Sequence, residues 1–208
     1  MAPVSIREII SAALQQEEQT GSLRSSFEGQ ILTLREKLVL PDENPVDALM
    51  SFVISYIRSV PAGLRLVRAV SKRQGFFEYA APFLHLAEDY FLHPPEELES
   101  NSSLEALLDE AFLTHRLLEE VNDHHVRQLG RALLPVDMTE ANIIVHHLLG
   151  DEFAMRLEEL VQFTAAQLLD KEHVWDQVRE LSSGGDQPPL SSARIGGPEK
   201  RVRLKLAS

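Results

Sequence analysis

Apolar residues recur along this chain at spacings of three and four, the period of amphipathic helices. Ser5-Ile6-Arg7-Glu8 has the form of a capping box, followed by Ile6, Ile9, Ile10, Ala13 and Leu14 on one face of a short helix that Thr20-Gly21-Ser22 breaks. A second helix is expected over about residues 25–38, where Phe27, Ile31, Leu34 and Leu38 form a narrow 4-3-4 seam. A seam of that shape is the chain's candidate self-association interface, although such seams more often pack inside one molecule.

Asn44-Pro45 supplies a cap followed by proline at the first helical position. The helix it opens should end or kink near Pro61, with residues 64–73 continuing to Gly75. Residues 76–92 read as helix again, with Pro82 tolerable only as a kink, before His93-Pro94-Pro95 ends it. Ser102-Ser103-Leu104-Glu105 opens a long helix that Gly130 should close. Pro135 and Asp137-Met138-Thr139-Glu140 announce a last long helix through Leu169 or beyond, with Gly150 absorbed inside it.

The chain thus predicts an all-α fold: about four longer helices in a bundle over 41–181, two N-terminal helices over 1–40 as a hairpin or arm, and a flexible tail over 182–208. The tail, SSGGDQPPLSSARIGGPEKRVRLKLAS, is rich in Gly, Pro and Ser and is expected to be disordered in isolation. Only its end, RVRLKLAS, alternates basic and apolar residues, a pattern that could add as a strand or bind an acidic groove.

Charge sharpens this picture. The 208 residues carry a formal net charge of −12, unevenly spread. Residues 184–208 hold five bases and two acids, so the body is more acidic than the total suggests. An acidic body disfavours nucleic acid and anionic membranes. The most apolar window, VDALMSFVISYIRSV, is 15 residues with Asp47 and Arg58 inside it, short of the roughly 20 that a membrane span needs. With no cysteine, disulfides and thiolate chemistry are excluded, and the expectation is a soluble, cytoplasmic protein.

Candidate chemistry centres on histidine. EEVNDHH places Glu119, Asn122, His124 and His125 together, and IIVHHLLGDE adds His146, His147, Asp151 and Glu152. Neighbouring residues on a helix point about 100° apart, so neither histidine pair can send both rings to one deep site. A hairpin about Leu134 would bring His146 beside Asn122 and His125. His85, Glu88 and His115 form a second group about 25 Å away.

The candidate metal ligands are therefore His125 and His146, supported by Glu119 and Asn122. Imidazole with carboxylate suits iron, manganese or zinc, although the Glu-x-x-His pair of di-iron bundles is absent. The plainer alternative is that these histidines are helix packing and wet surface. Histidines amid acids could also sense pH by binding protons more readily.

Two other features bear on function. Arg65, Arg68 and Lys72 share a helix face and could contact an anion or an acidic partner. Six of the twelve Phe and Tyr residues fall between 76 and 91, too many for one helix to bury on one side. Nucleotide-binding glycine loops and a Gly-x-Ser-x-Gly elbow are lacking. The expected function is a protein-binding or regulatory helical module that engages a protein partner or a second copy of itself. A metal-dependent bundle enzyme of oxidative or hydrolytic type is the alternative.

Overall fold

A computed structural model of the chain describes residues 5–73, 77–93, 103–130, 132, 137–169 and 201–205. Among these residues the fold is all-α, with seven helices and one two-stranded ribbon: α1 (Ile6–Thr20), α2 (Ser22–Lys37), β1 (Leu38–Val39), α3 (Pro45–Arg73), α4 (Phe77–Leu92), α5 (Leu104–Leu129), α6 (Thr139–Leu149), α7 (Asp151–Leu169) and β2 (Arg203–Leu204). No helix among the described residues is long and apolar enough to cross a membrane. The break expected at Pro94-Pro95, the turn about Leu134 and Pro135, and the segment 170–200 lie outside the described residues.

The helix ends follow local chemistry. Ser5 and Glu8 close the capping box, the Ser5 N–H donating to Glu8 Oε2 at 2.7 Å and the Glu8 N–H to Ser5 Oγ at 3.3 Å. On α5 the cap is Ser103, whose Oγ accepts from the Ala106 N–H, one residue later than the Ser102-to-Glu105 spacing predicts. Gly21 ends α1 in the left-handed conformation, and α2 follows immediately. The carboxylate of Glu17 serves that start instead of a local cap. It accepts from the Leu23 and Arg24 N–H groups at 3.1 and 3.0 Å, so an α1 side chain satisfies donors that α2 would leave orphaned.

Helix α5 is the centre of the fold, packing on α1, α3, α4, α6 and α7. Its middle is buried all round: Leu107, Leu108, Ala111, Phe112, Leu113, Leu117 and Leu118 all join the core. A single apolar face, as the wheel of α5 suggests, therefore understates its burial. Gly63 of α3 allows a close crossing with α5, since a Cβ there would meet Leu118 Cδ1 at 3.3 Å. The N-terminal helices belong to the same core through Ile10, Ala13, Leu23, Phe27 and Leu34.

Of the two alternatives at Pro61, an end to the helix is not realised, because α3 runs from Pro45 to Arg73 with Pro61 inside it. One expectation is corrected. Gly150 does divide the last long helix: at φ +87° and ψ 140° it leaves helical geometry, and α7 begins at Asp151. Without a Cβ, glycine enters that region of backbone space freely. Of the aromatic group, Phe83, Tyr90 and Phe91 are buried, and Phe77 is half-buried with Lys72 Nζ 4.7 Å above its ring. Phe76 and the side chain of Tyr79 lie outside the description.

Candidate functional site

The acid–histidine region folds into a connected polar network at the junction of α3, α5, α6 and α7. In the core, Tyr56 donates to Asn142 Oδ1 at 2.7 Å. Asn142 Nδ2 donates to Glu119 Oε2 at 2.6 Å, and Thr139 donates to Glu119 Oε1 at 2.8 Å. Arg116 pairs with the same carboxylate and lies 3.6 Å from Glu158. Glu158 in turn stands 3.3 Å from His146 Nδ1. Towards the surface, Asp151 is 3.6 Å from His146 Nε2, 3.5 Å from His147 Nδ1 and 2.8 Å from Lys37 Nζ. The Lys37 ammonium holds the exposed Asp151 carboxyl below the usual aspartate range.

This geometry does not assemble the predicted metal ligands. Among the described residues, no group of three or more His, Asp and Glu side chains is placed to hold a metal ion. Glu119 is committed to a guanidinium, an amide and a hydroxyl, and His146 faces Glu158 and Asp151. His125 is buried and Asn122 half-buried farther along α5. The depth of the α5–α6 hairpin explains the difference. Asn142 lies beside Glu119, whereas a turn centred on Leu134 would set it about two turns away.

The second histidine group is also dispersed. Glu88 pairs with Arg68, and His85 is exposed. His115 is buried against Tyr56, with ring centroids 4.4 Å apart. Its Nε2 lies 3.1 Å from the Tyr56 carbonyl oxygen and 2.9 Å from Ser59 Oγ, while Ser59 donates to that same carbonyl. Both contacts require Nε2 to carry the proton, which fixes the neutral tautomer. Burial pushes the His115 pKa down to about 4, opposite to the rise that surrounding acids would cause.

The other predicted surfaces are largely occupied as well. Of the three bases in the candidate anion patch, Arg68 is paired with Glu88 and Lys72 sits over Phe77, while Arg65 is exposed. In the seam of α2, Phe27, Leu34 and Leu38 are buried within the chain and Ile31 packs at the core's edge. The seam is intramolecular because α2 lies on α3 and approaches α6.

A cleft of about 370 Å³ opens between α2, the start of α5 and the α6–α7 junction, with Phe27, Leu108 and Phe153 among its apolar lining and Gln30, Glu105 and Asp109 among its polar groups. Burial, then the nearby Glu105, raises the Asp109 pKa to about 7. Burial, then Asp109, raises that of Glu110 to about 8.

The site with the most explicit recognition geometry lies at the other end of α2. There the C-terminal segment joins the body as a strand. Leu204 pairs with Leu38 and Arg203 with Val39, antiparallel, and the Lys205 N–H donates to the Lys37 carbonyl at 2.9 Å. Val202 is only 3% exposed. Leu204 packs at the edge of the core, while Arg201, Arg203 and Lys205 face outward. On α6, Glu140 Oε1 lies 3.8 Å from Arg203 Nε and 3.4 Å from the Leu204 N–H. The alternation in RVRLK is the signal for this site. Its docking position on Leu38 and Val39 was not marked, because a two-residue strand leaves no periodic trace. No family model, curated protein or solved structure matches this chain.

Proposed function

We propose that this chain is a protein-binding helical module whose recognition element is the edge of β1 flanked by α6. One observation carries the reading: Arg203 and Leu204 pair antiparallel with Val39 and Leu38, and Val202 just before them is buried. A sheet edge presents backbone donors and acceptors that any extended peptide can meet, and alternate side-chain pockets supply the specificity. The rest of the molecule supports the reading by offering α2, α5, α6 and α7 as a rigid base. Lys37 at the foot of β1 is tied to Asp151 of α7. Val39, itself paired with Arg203, and Ile143 of α6 both leave large apolar side chains exposed.

The test is chemical cross-linking of the full chain in cells of its source, followed by identification of the attached proteins. A comparison form carrying Val39→Cys and Arg203→Cys can be locked by oxidation, since the chain has no other cysteine. Specific proteins should attach to the reduced form. If nothing attaches beyond what an unrelated helical protein of equal charge collects, the reading fails.

A further inference from the structure

The C-terminal segment shows what kind of ligand the β1 edge accepts, and this inference rests on the protein-binding reading above. We infer that the edge formed by Leu38, Val39 and Glu140 recognises an extended segment of alternating basic and apolar residues presented by another protein, and that residues 202–205 are a resident occupant which this segment displaces.

The chemistry is readable from the occupant. Val202 and Leu204 turn toward the body while Arg201, Arg203 and Lys205 turn away, the period-two arrangement of a strand with one face buried. Val202 is enclosed to 3% exposure, so the body provides a fitted apolar recess. Glu140 sits beside the guanidinium of Arg203. A base at that position and a branched apolar residue just before it are therefore the two side-chain requirements, set on backbone pairing through the Lys37 carbonyl. Net charge acts in the same direction, because the body is strongly acidic and the C-terminal residues are basic.

The occupant is displaceable because it is small and tethered. Only two residue pairs form the ribbon, too few to be stable without help from side-chain burial. Residues 170–200 separate it from α7, so it reaches the edge as a tethered peptide. A covalently attached competitor acts at an effective concentration set by its connection and not by the amount of protein in solution. The resident segment thus raises the affinity a partner must have, without closing the edge permanently. A partner segment carrying the same alternation on a longer pairing would exceed it.

The experiment uses the full chain and a fluorescent synthetic peptide of sequence RVRLKLAS. Val202→Asp in the protein should undock the resident segment, and this variant should bind the peptide at least about tenfold more tightly than wild type, as expected for removal of a tethered competitor. A peptide with Asp in place of Val202 should not bind. Glu140→Lys should weaken binding of the original peptide and restore binding of one carrying Glu at the Arg203 position. Should Val202→Asp disturb folding by circular dichroism, the oxidised and reduced Val39→Cys/Arg203→Cys forms replace it, with binding expected only in the reduced form. Equal binding by open and closed forms, or no binding by either while the disulfide still forms, would overturn the inference. Proteins attached in cells equally well to locked and reduced chains would overturn both this inference and the β1 edge as recognition element, whereas loss of attachment on locking together with failure of the peptide would overturn this inference alone.

Discussion

Asn142 on α6 donates a 2.6 Å hydrogen bond to Glu119 on α5 while accepting one from Tyr56 on α3. A single amide thus fixes the register of three helices inside the core. Its loss would leave the buried Tyr56 hydroxyl and one carboxylate oxygen without those partners. Asn142→Ala is expected to cost about 2 kcal/mol by urea unfolding, the range for a buried polar group stripped of its bond. Tyr56→Phe, which removes the donor as well as the contact, should cost about half as much. A shared network predicts a double variant that costs less than the sum of the singles, and simple additivity would count against it.

Glu17 provides a second test of polar burial. Its carboxylate accepts from two N–H groups at the start of α2. Glu17→Ala should lower stability by about 1–2 kcal/mol, comparable to loss of an N-cap. Gln at this position, retaining one acceptor, should recover part of it. A neutral result for Glu17→Ala in thermal unfolding would show that water replaces the carboxylate without loss.

The pH dependence has two opposed sources. His115, with its pKa lowered from 6.5 to about 4, stabilises the fold above pH 6.5, and that contribution is lost as pH falls through 4. The shift corresponds to about 3 kcal/mol. Asp109 and Glu110, raised to about 7 and about 8, behave oppositely: their contribution is complete below their ordinary values and is lost as pH rises through 7 to 8. Between pH 6.5 and 8 only the carboxyls act. Stability measured by urea unfolding should decline across that interval, and Glu110→Gln should flatten the decline. A wild-type stability constant from pH 6.5 to 8 would remove the assignment.

Two glycines separate backbone strain from helix propensity. Gly150 has φ +87° and open space where a Cβ would go, while Gly29 has the same open space inside α2. Gly150→Ala should therefore destabilise by about 1–3 kcal/mol through conformation alone. Gly29→Ala should stabilise by about 0.5–1 kcal/mol. Calorimetry on both variants checks the contrast, and changes of the same sign would contradict it.

The engagement of Glu119 by Arg116, Thr139 and Asn142 bears on metal binding. Untagged protein is expected to carry less than one tenth of an equivalent of iron, manganese or zinc, roughly background where the described residues assemble no ligand set. Thermal unfolding should not shift when these ions are added at tenfold excess, because a ligand held only by the folded state raises its stability. A stoichiometric metal lost on replacing His125 and His146 would restore the predicted site.

Much of the fold is legible in the residues. The capping box of Ser5 and Glu8, the proline start at Pro45 and the Gly130 stop of α5 are local devices, decided within a few residues, and the structure contains each of them. The alternation of RVRLK allows either a strand or a groove-bound segment, and the structure forms a strand over Arg203–Leu204. Depth is another matter. Adding or removing a few residues in a turn shifts one helix along another without altering either pattern, so the neighbours of Asn142 and His146 could not be read from spacing. Gly150 reads equally as a helix interior or a break, since its own chemistry permits both.

The sequence by itself determined that this chain is helical, acidic in its body and basic at its end, because propensity, caps and charge act over short range. Only the tertiary structure decided that Glu119 serves Arg116 and Asn142, that His115 is buried and neutral, and that Val202 is buried where β2 pairs with β1. Those outcomes depend on which surfaces exclude water together, and residues far apart in the chain set them jointly.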